Sequence, residues 1–289
     1  MNFISPKKNK YFFKSIDNIR AVIMLLMFAL VTSFNSQAQG NLLITPKRIV
    51  FDGTKRSAEI NLANIGKDTA TYLISWVQYK MNEYGKFEKL SDDDSSQNFA
   101  DKNVRIFPRK VTLGPNEAQS VKLQVIKRNE LKTGEYRSHL FFRALDQKPL
   151  GEEDSLKKET GIVIKMTPVF GISIPVIIQN GETSMNVTLS DAALEIDRDT
   201  IPNLKITFNR TGNISSYGDL TANFISNNGT VTQVGLIRGV AVYTPNDKRI
   251  FTLKLDRKPG IDFKSGKLRI VYSDQSPKKM QLAEEEINL

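Results

Sequence analysis

Along most of the chain apolar and polar residues alternate at every second position, the period of a strand with one buried face. Asn41 to Phe51 carries Leu43, Ile49, Val50 and Phe51; Ala58, Ile60 and Leu62 alternate strictly; Thr71 to Tyr79 carries Tyr72, Leu73, Ile74, Trp76, Val77 and Tyr79. These runs are rich in β-branched and aromatic residues. Turn formers bound them, among them Asp52-Gly53, Ile65 to Asp68 and Asn82 to Gly85. Val104 to Phe107, Val111 to Leu113, Ser120 to Ile126 and Glu135 to Leu145 extend the series, with Gly114-Pro115-Asn116 as a tight turn. Short strands at this spacing predict a β-sandwich, with Trp76 in its core.

Asp146 to Thr160 breaks the pattern with five acidic residues, three lysines, Pro149 and Gly151, and reads as a solvated loop. Ile162 to Ile178 follows. Every even position there is apolar: Ile164, Met166, Pro168, Phe170, Ile172, Ile174, Val176 and Ile178. Two prolines cannot donate to a ladder, so so long a strand is expected at the edge of its sheet. Asn180-Gly181 marks a turn, and the boundary of a first domain, residues 40–179, is expected there. Strands resume at Asn186 to Leu189, Ala193 to Ile196, Leu204 to Asn209, Asp219 to Ser226, Val231 to Leu236, Arg249 to Leu255 and Lys267 to Tyr272, which predicts a second sandwich over residues 184–289. Leu282 to Leu289 ends in an acidic run and is expected to fray.

The amino terminus changes the picture of where the chain works. Lys7, Lys8, Lys10, Lys14 and Arg20 precede an apolar stretch, Ala21 to Val31, and Ser36-Gln37-Ala38 offers small residues for a peptidase. This is the pattern of a secretory signal peptide, residues 1–38, cleaved after Ala38, and it predicts a protein that works outside the cytoplasm. Eleven apolar residues fall short of the ~20 that span a bilayer. Cleavage removes five positive charges and one negative from a formal +10, leaving +6 spread along the chain, so nucleic acid is not an expected partner.

Candidate chemistry is sparse. The 289 residues include no Cys and one His, which excludes zinc sites built on Cys or several His, Fe–S clusters and thiol catalysis. His139, beside Leu140, Phe141 and Phe142, is expected inside a sheet rather than in a Ser/His/Asp triad. No metal, no cofactor and no enzymatic activity are expected. A long apolar edge, by contrast, invites β-strand addition, in which main-chain bonds give affinity and alternate side chains give specificity. The same edge invites self-association when nothing else pairs with it.

Several stretches resemble the PapD-like periplasmic pilus-assembly chaperones of the chaperone–usher pathway. They are ITPKRIVFDG (Ile44 to Gly53), Ile74-Ser75-Trp76, FPRKVTLGPNEAQSVKL (Phe107 to Leu123), EYRSHLFFRAL (Glu135 to Leu145) and SIPVII (Ser173 to Ile178), then FNRTGNISSYGDL (Phe208 to Leu220) and GVAVYTPNDKR (Gly239 to Arg249). The resemblance implies an all-β protein of two immunoglobulin-like sandwiches set at an angle. It implies a chaperone that caps secreted pilin-like subunits lacking a C-terminal strand by donor-strand complementation and passes them to an outer-membrane usher. Arg48 matches the family arginine that anchors the subunit's terminal carboxylate, work that suits a planar guanidinium. Phe170 stands where the family has a lysine, which leaves Lys165 as the second cation. Ile162, Ile164, Met166 and Phe170 are the expected donor side chains. Glu135 matches an acid that sets the interdomain angle, although Ile174 replaces its expected arginine partner. The other reading the pattern allows is a structural or adhesive surface protein of two such domains.

Overall fold

The computed structural model describes residues 42–91, 94–145, 171–196 and 202–289. The chain runs through β1 (Leu42–Thr45), β2 (Ile49–Phe51), β3 (Ser57–Asn64), β4 (Ala70–Val77), β5 (Tyr79–Met81) and β6 (Phe87–Lys89). It continues with β7 (Val104–Phe107), β8 (Lys110–Leu113), β9 (Ala118–Val125), β10 (Gly134–Ala144) and β11 (Gly171–Asn180). These strands form sheets of order β1-β3-β9-β7 and β2-β11-β10-β4-β8, with β5 and β6 as a separate hairpin. Alternation puts Ile60 and Leu62 of β3, Val121 and Leu123 of β9, and Leu140 and Phe142 of β10 into one core between the sheets. Trp76 is half-buried against that core.

The second sandwich comprises β12 (Met185–Ile196), β13 (Pro202–Gly212), β14 (Ser216–Ile225), β15 (Val231–Val242), β16 (Lys248–Lys254), β17 (Lys267–Ser273) and β18 (Gln281–Asn288). Its sheets have the orders β12-β13-β16 and β15-β14-β17-β18. Strict alternation on β14 buries Leu220, Ala222 and Phe224 in a core shared with Phe208 and Tyr272. The protein is therefore all β, with two immunoglobulin-like sandwiches.

Four expectations change in detail. The single run Asn41 to Phe51 is two strands in different sheets, because Pro46 interrupts the ladder and lets the chain cross from one sheet to the other. Asn186 to Leu189 and Ala193 to Ile196 are one strand, kinked by a register shift between Ser190 and Ala193. The acidic terminus does not fray. It is β18, paired along β17, where Glu286 meets Lys267 at 2.8 Å and Glu284 meets Arg269 at 3.3 Å.

The fourth change concerns the edge strand. β11 pairs antiparallel with β10 along its whole length, and Val176–Ile178 also pairs in parallel with Ile49–Phe51 of β2. That end of the strand is interior to the sheet, not its edge. From Gly171 to Pro175 β11 has β10 on one side and, among the described residues, no strand on the other. Proline is tolerated there because a missing N–H is harmless where it faces an unpaired side.

Candidate functional site

The alternation on β10 separates two kinds of residue. Leu140 and Phe142 face the first core, whereas Glu135, Arg137 and His139, at odd positions, face the second sandwich. The odd residues of β11 lie beside them, since Arg137 is opposite Ile177 and His139 opposite Pro175. Ile177 forms a small apolar cluster with Met81, Ala241 and Tyr243, which belongs to neither sandwich core.

Glu135 is buried, and its carboxylate accepts from the Ser215 backbone N–H at 2.9 Å, from the Ser215 hydroxyl and from Thr244 Oγ1 at 3.1 Å. The loop that carries Ser215 is held in turn by Arg210, whose guanidinium donates to the carbonyls of Gly212, Ile214 and Asn246. Glu135 thus spans the two sandwiches through hydroxyl and amide donors, and Ile174, where an arginine was expected, is in the first core.

Arg137 is 1% exposed. Its Nη2 donates to Gln97 Oε1 at 2.8 Å and to the Thr244 carbonyl at 3.1 Å, and its guanidinium lies 4.2 Å from the Tyr243 ring centre. Burial pushes its pKa down to about 10. Burial, with Arg137 and Arg48 nearby, holds His139 down at about 3, so its imidazole is neutral at pH 7. Tyr79 and Phe87 approach that imidazole edge to face, with centroids 5.2 and 5.4 Å away.

Arg48 immediately precedes β2. Its Nη1 donates to the Tyr243 hydroxyl at 2.9 Å, and its guanidinium lies over the Tyr217 ring at 4.3 Å. Its other donors have no hydrogen bond among the described residues. Arg48, Arg137 and Arg249 thus gather around Tyr243, an arrangement suited to an anion. The β5–β6 hairpin closes one side. Met81 accepts from Asn246 Nδ2 at 2.6 Å and Glu83 from the Ile250 N–H at 2.7 Å, so the hairpin tip is tied to the second sandwich. Gly85 lies flat on the Arg249 guanidinium, where a Cβ would stand 2.5 Å from Nη2, and its φ of +76° favours glycine.

The structure places Arg48 and Glu135 at this junction. Ile162, Ile164, Lys165, Met166 and Phe170 lie outside the described residues. Sequence reasoning missed Arg137, Tyr217, Tyr243 and the Ser215–Thr244 pair. The signal for Arg137 was present: Glu135, Arg137 and His139 occupy alternate positions of a strand whose other face turns apolar. Among the described residues no group of three or more His, Asp or Glu could hold a metal ion.

No family model matches the sequence, and no curated protein matches it. Among solved structures the chain is similar to the YadV chaperone at 10% identity and a TM-score of 0.43, over 86% of this chain and 100% of that one. It is similar to the class 5 fimbriae chaperone CfaA at 15% identity and a TM-score of 0.41, over 86% and 98%. It is likewise similar to a chain of the CsuC–CsuE chaperone–tip adhesion subunit pre-assembly complex from the archaic chaperone–usher Csu pili of Acinetobacter baumannii, at 12% identity and a TM-score of 0.41, over 86% and 98%.

Proposed function

We propose that this protein is a non-enzymatic periplasmic chaperone that caps secreted pilin-like subunits lacking a C-terminal strand and hands them to an outer-membrane usher. The observation that carries this reading is the half-covered edge of β11. Gly171–Pro175 keeps one side of its backbone unpaired, and β2 takes over the same edge at Val176. Because β2 runs parallel to β11, a guest strand following the free edge in the same direction ends at Arg48. Its terminal carboxylate then meets a guanidinium with donors to spare. Lys165 is the second cation we assign to that carboxylate.

The even face of β11 adds support. Ile178, Val176 and Ile174 are closed inside the first core, Ile174 at 2% exposure, whereas Ile172 is 37% exposed. The apolar stripe outruns its own core, and Ile162, Ile164, Met166 and Phe170 carry the same parity. We assign them as the side chains lent to the unfinished subunit. Three or four such residues supply on the order of 5–10 kcal/mol before the cost of association.

The test mixes the chain lacking residues 1–38 with a secreted subunit deprived of its last strand. A soluble 1:1 complex is expected. Arg48→Ala should weaken it by about 1.5–3 kcal/mol, the loss of a charge-assisted bond. Changing Ile164 and Met166 together to Asn should abolish it with an unchanged circular dichroism spectrum. Self-association of the chain with no capture of the subunit would overturn this reading in favour of a structural role.

A further inference from the structure

Arg48 belongs to the first sandwich, but the contacts that fix its guanidinium come from the second. Leu220, Ala222 and Phe224 turn the even positions of β14 into the second core, whereas Tyr217, at an odd position, packs on the apolar cluster around Ile177. Tyr243 follows the last residue of β15 into the same cluster and is 5% exposed. Both rings meet one guanidinium. Its carbon lies 4.3 Å from the Tyr217 ring centre and 5.4 Å from that of Tyr243, whose hydroxyl accepts from Nη1 at 2.9 Å. Gly239 makes room for the first of these rings, since a Cβ there would stand 2.8 Å from the Tyr217 hydroxyl oxygen, and its φ of +74° favours glycine.

The surroundings push Arg48 the other way. Arg137 is buried 4.2 Å from the same Tyr243 ring centre, and the charges of the two arginines oppose one another. Among the described residues neither forms an ion pair with a carboxylate. A half-buried guanidinium beside a like charge gains by swinging out into water, where its hydration is restored. The Tyr217 face and the Tyr243 hydroxyl oppose that swing.

We infer that Tyr217 and Tyr243 are positioning residues that hold Arg48 in place against the repulsion of Arg137, so that the second sandwich takes part in a capture made on the edge of the first. This role rests on the carboxylate reading above and adds to it the residues that keep the anchor ready. A cation already in place loses no rotamer freedom when a carboxylate arrives, and the new negative charge relieves the repulsion at the same moment. The two rings divide the work. Tyr243 sets the direction of the guanidinium through its hydroxyl, which engages Nη1 and leaves the other N–H groups for a carboxylate. Tyr217 supplies a face, a task that a phenyl ring performs as well.

The test titrates two twelve-residue fluorescent peptides of one alternating apolar sequence, the first ending in a free carboxylate and the second amidated, onto the chain lacking residues 1–38. The readout is the ratio of the two affinities, because a fault in folding or in strand pairing weakens both and cancels. The unaltered protein is expected to prefer the free acid by roughly tenfold or more, the scale of one charge-assisted bond. Tyr217→Leu and Tyr243→Phe should each cut that ratio by roughly three- to tenfold, and the two together should bring it near that of Arg48→Ala. Tyr217→Phe keeps the ring face and should hold the ratio to within about twofold of the unaltered value. A ratio left unchanged by Tyr217→Leu or by Tyr243→Phe, or lowered as far by Tyr217→Phe as by Tyr217→Leu, would overturn the positioning role while leaving the carboxylate anchor standing. Equal binding of the two peptides by the unaltered protein, or binding of neither, would strike the carboxylate reading itself and the positioning role with it.

Discussion

In the first core Ile60, Leu62, Leu123 and Leu140 are sealed from solvent, and in the second Leu204, Phe208 and Tyr272 are equally closed off. The junction buries just as deeply but with different side chains: Glu135, Arg137 and His139 at alternate positions of a single strand, with Arg48 beside them. Cores of the first kind form wherever apolar faces meet and tolerate repacking, because dispersion and the hydrophobic effect have no direction. The junction depends on donors and acceptors at set distances, and a buried charge there is costly unless each partner is in place. The lesson is that the two sandwiches hold themselves together by area and hold each other by geometry.

Substitutions can set the two regions against one another. The largest effect is expected in a core. Phe208→Ala should cost about 3–5 kcal/mol, measured by urea denaturation, and should leave the acid sensitivity described below unchanged. A loss under 1 kcal/mol would mean that the second core is not the tight unit its burial implies.

At the junction, Glu135→Ala strands the Ser215 N–H and two hydroxyls, and should cost about 2–3 kcal/mol. Its signature differs from that of the core change. Calorimetry is expected to resolve two transitions for the variant against one for the unaltered chain, because the sandwiches lose their shared anchor. A single transition at the original temperature would show that the apolar cluster around Ile177 suffices to couple them.

The last effect concerns protons. His139 has a folded-state pKa of about 3, below its ordinary 6.5, so the unfolded chain binds the proton more readily. The stability this group contributes is fully present above pH 6.5 and is lost as the pH falls from there towards 3, by at most about 1.4 kcal/mol per pH unit. His139→Phe should flatten that slope in a series of denaturation curves between pH 4 and 7. Superimposable slopes for the two proteins would place the proton elsewhere.

Alternation made most strands legible, because a half-buried strand writes its burial into every second residue. Val104 to Phe107 was read to the residue, and Glu135 to Leu145 within one. The β5–β6 hairpin was half missed, since Phe87–Lys89 is exposed along its length and shows no such period. Acidity misled at the terminus, where Glu284 and Glu286 are opposed by Lys267 and Arg269, neighbours only once β17 and β18 pair. Arg48 and Glu135 were recognisable through resemblance, but their partners Tyr243, Ser215 and Thr244 lie 80 to 195 positions away.

Local order along the chain was enough to specify two all-β sandwiches and an apolar stripe ending at Ile178, because side-chain parity needs no knowledge of what lies across the sheet. Whether that stripe is covered was a matter for the fold: β2 arrives beside Val176–Ile178 and stops short of Pro175. The junction, too, exists only in three dimensions. Hydrogen bonds and buried charges are satisfied by whichever atoms come within about 3 Å, and no period along the chain records those encounters.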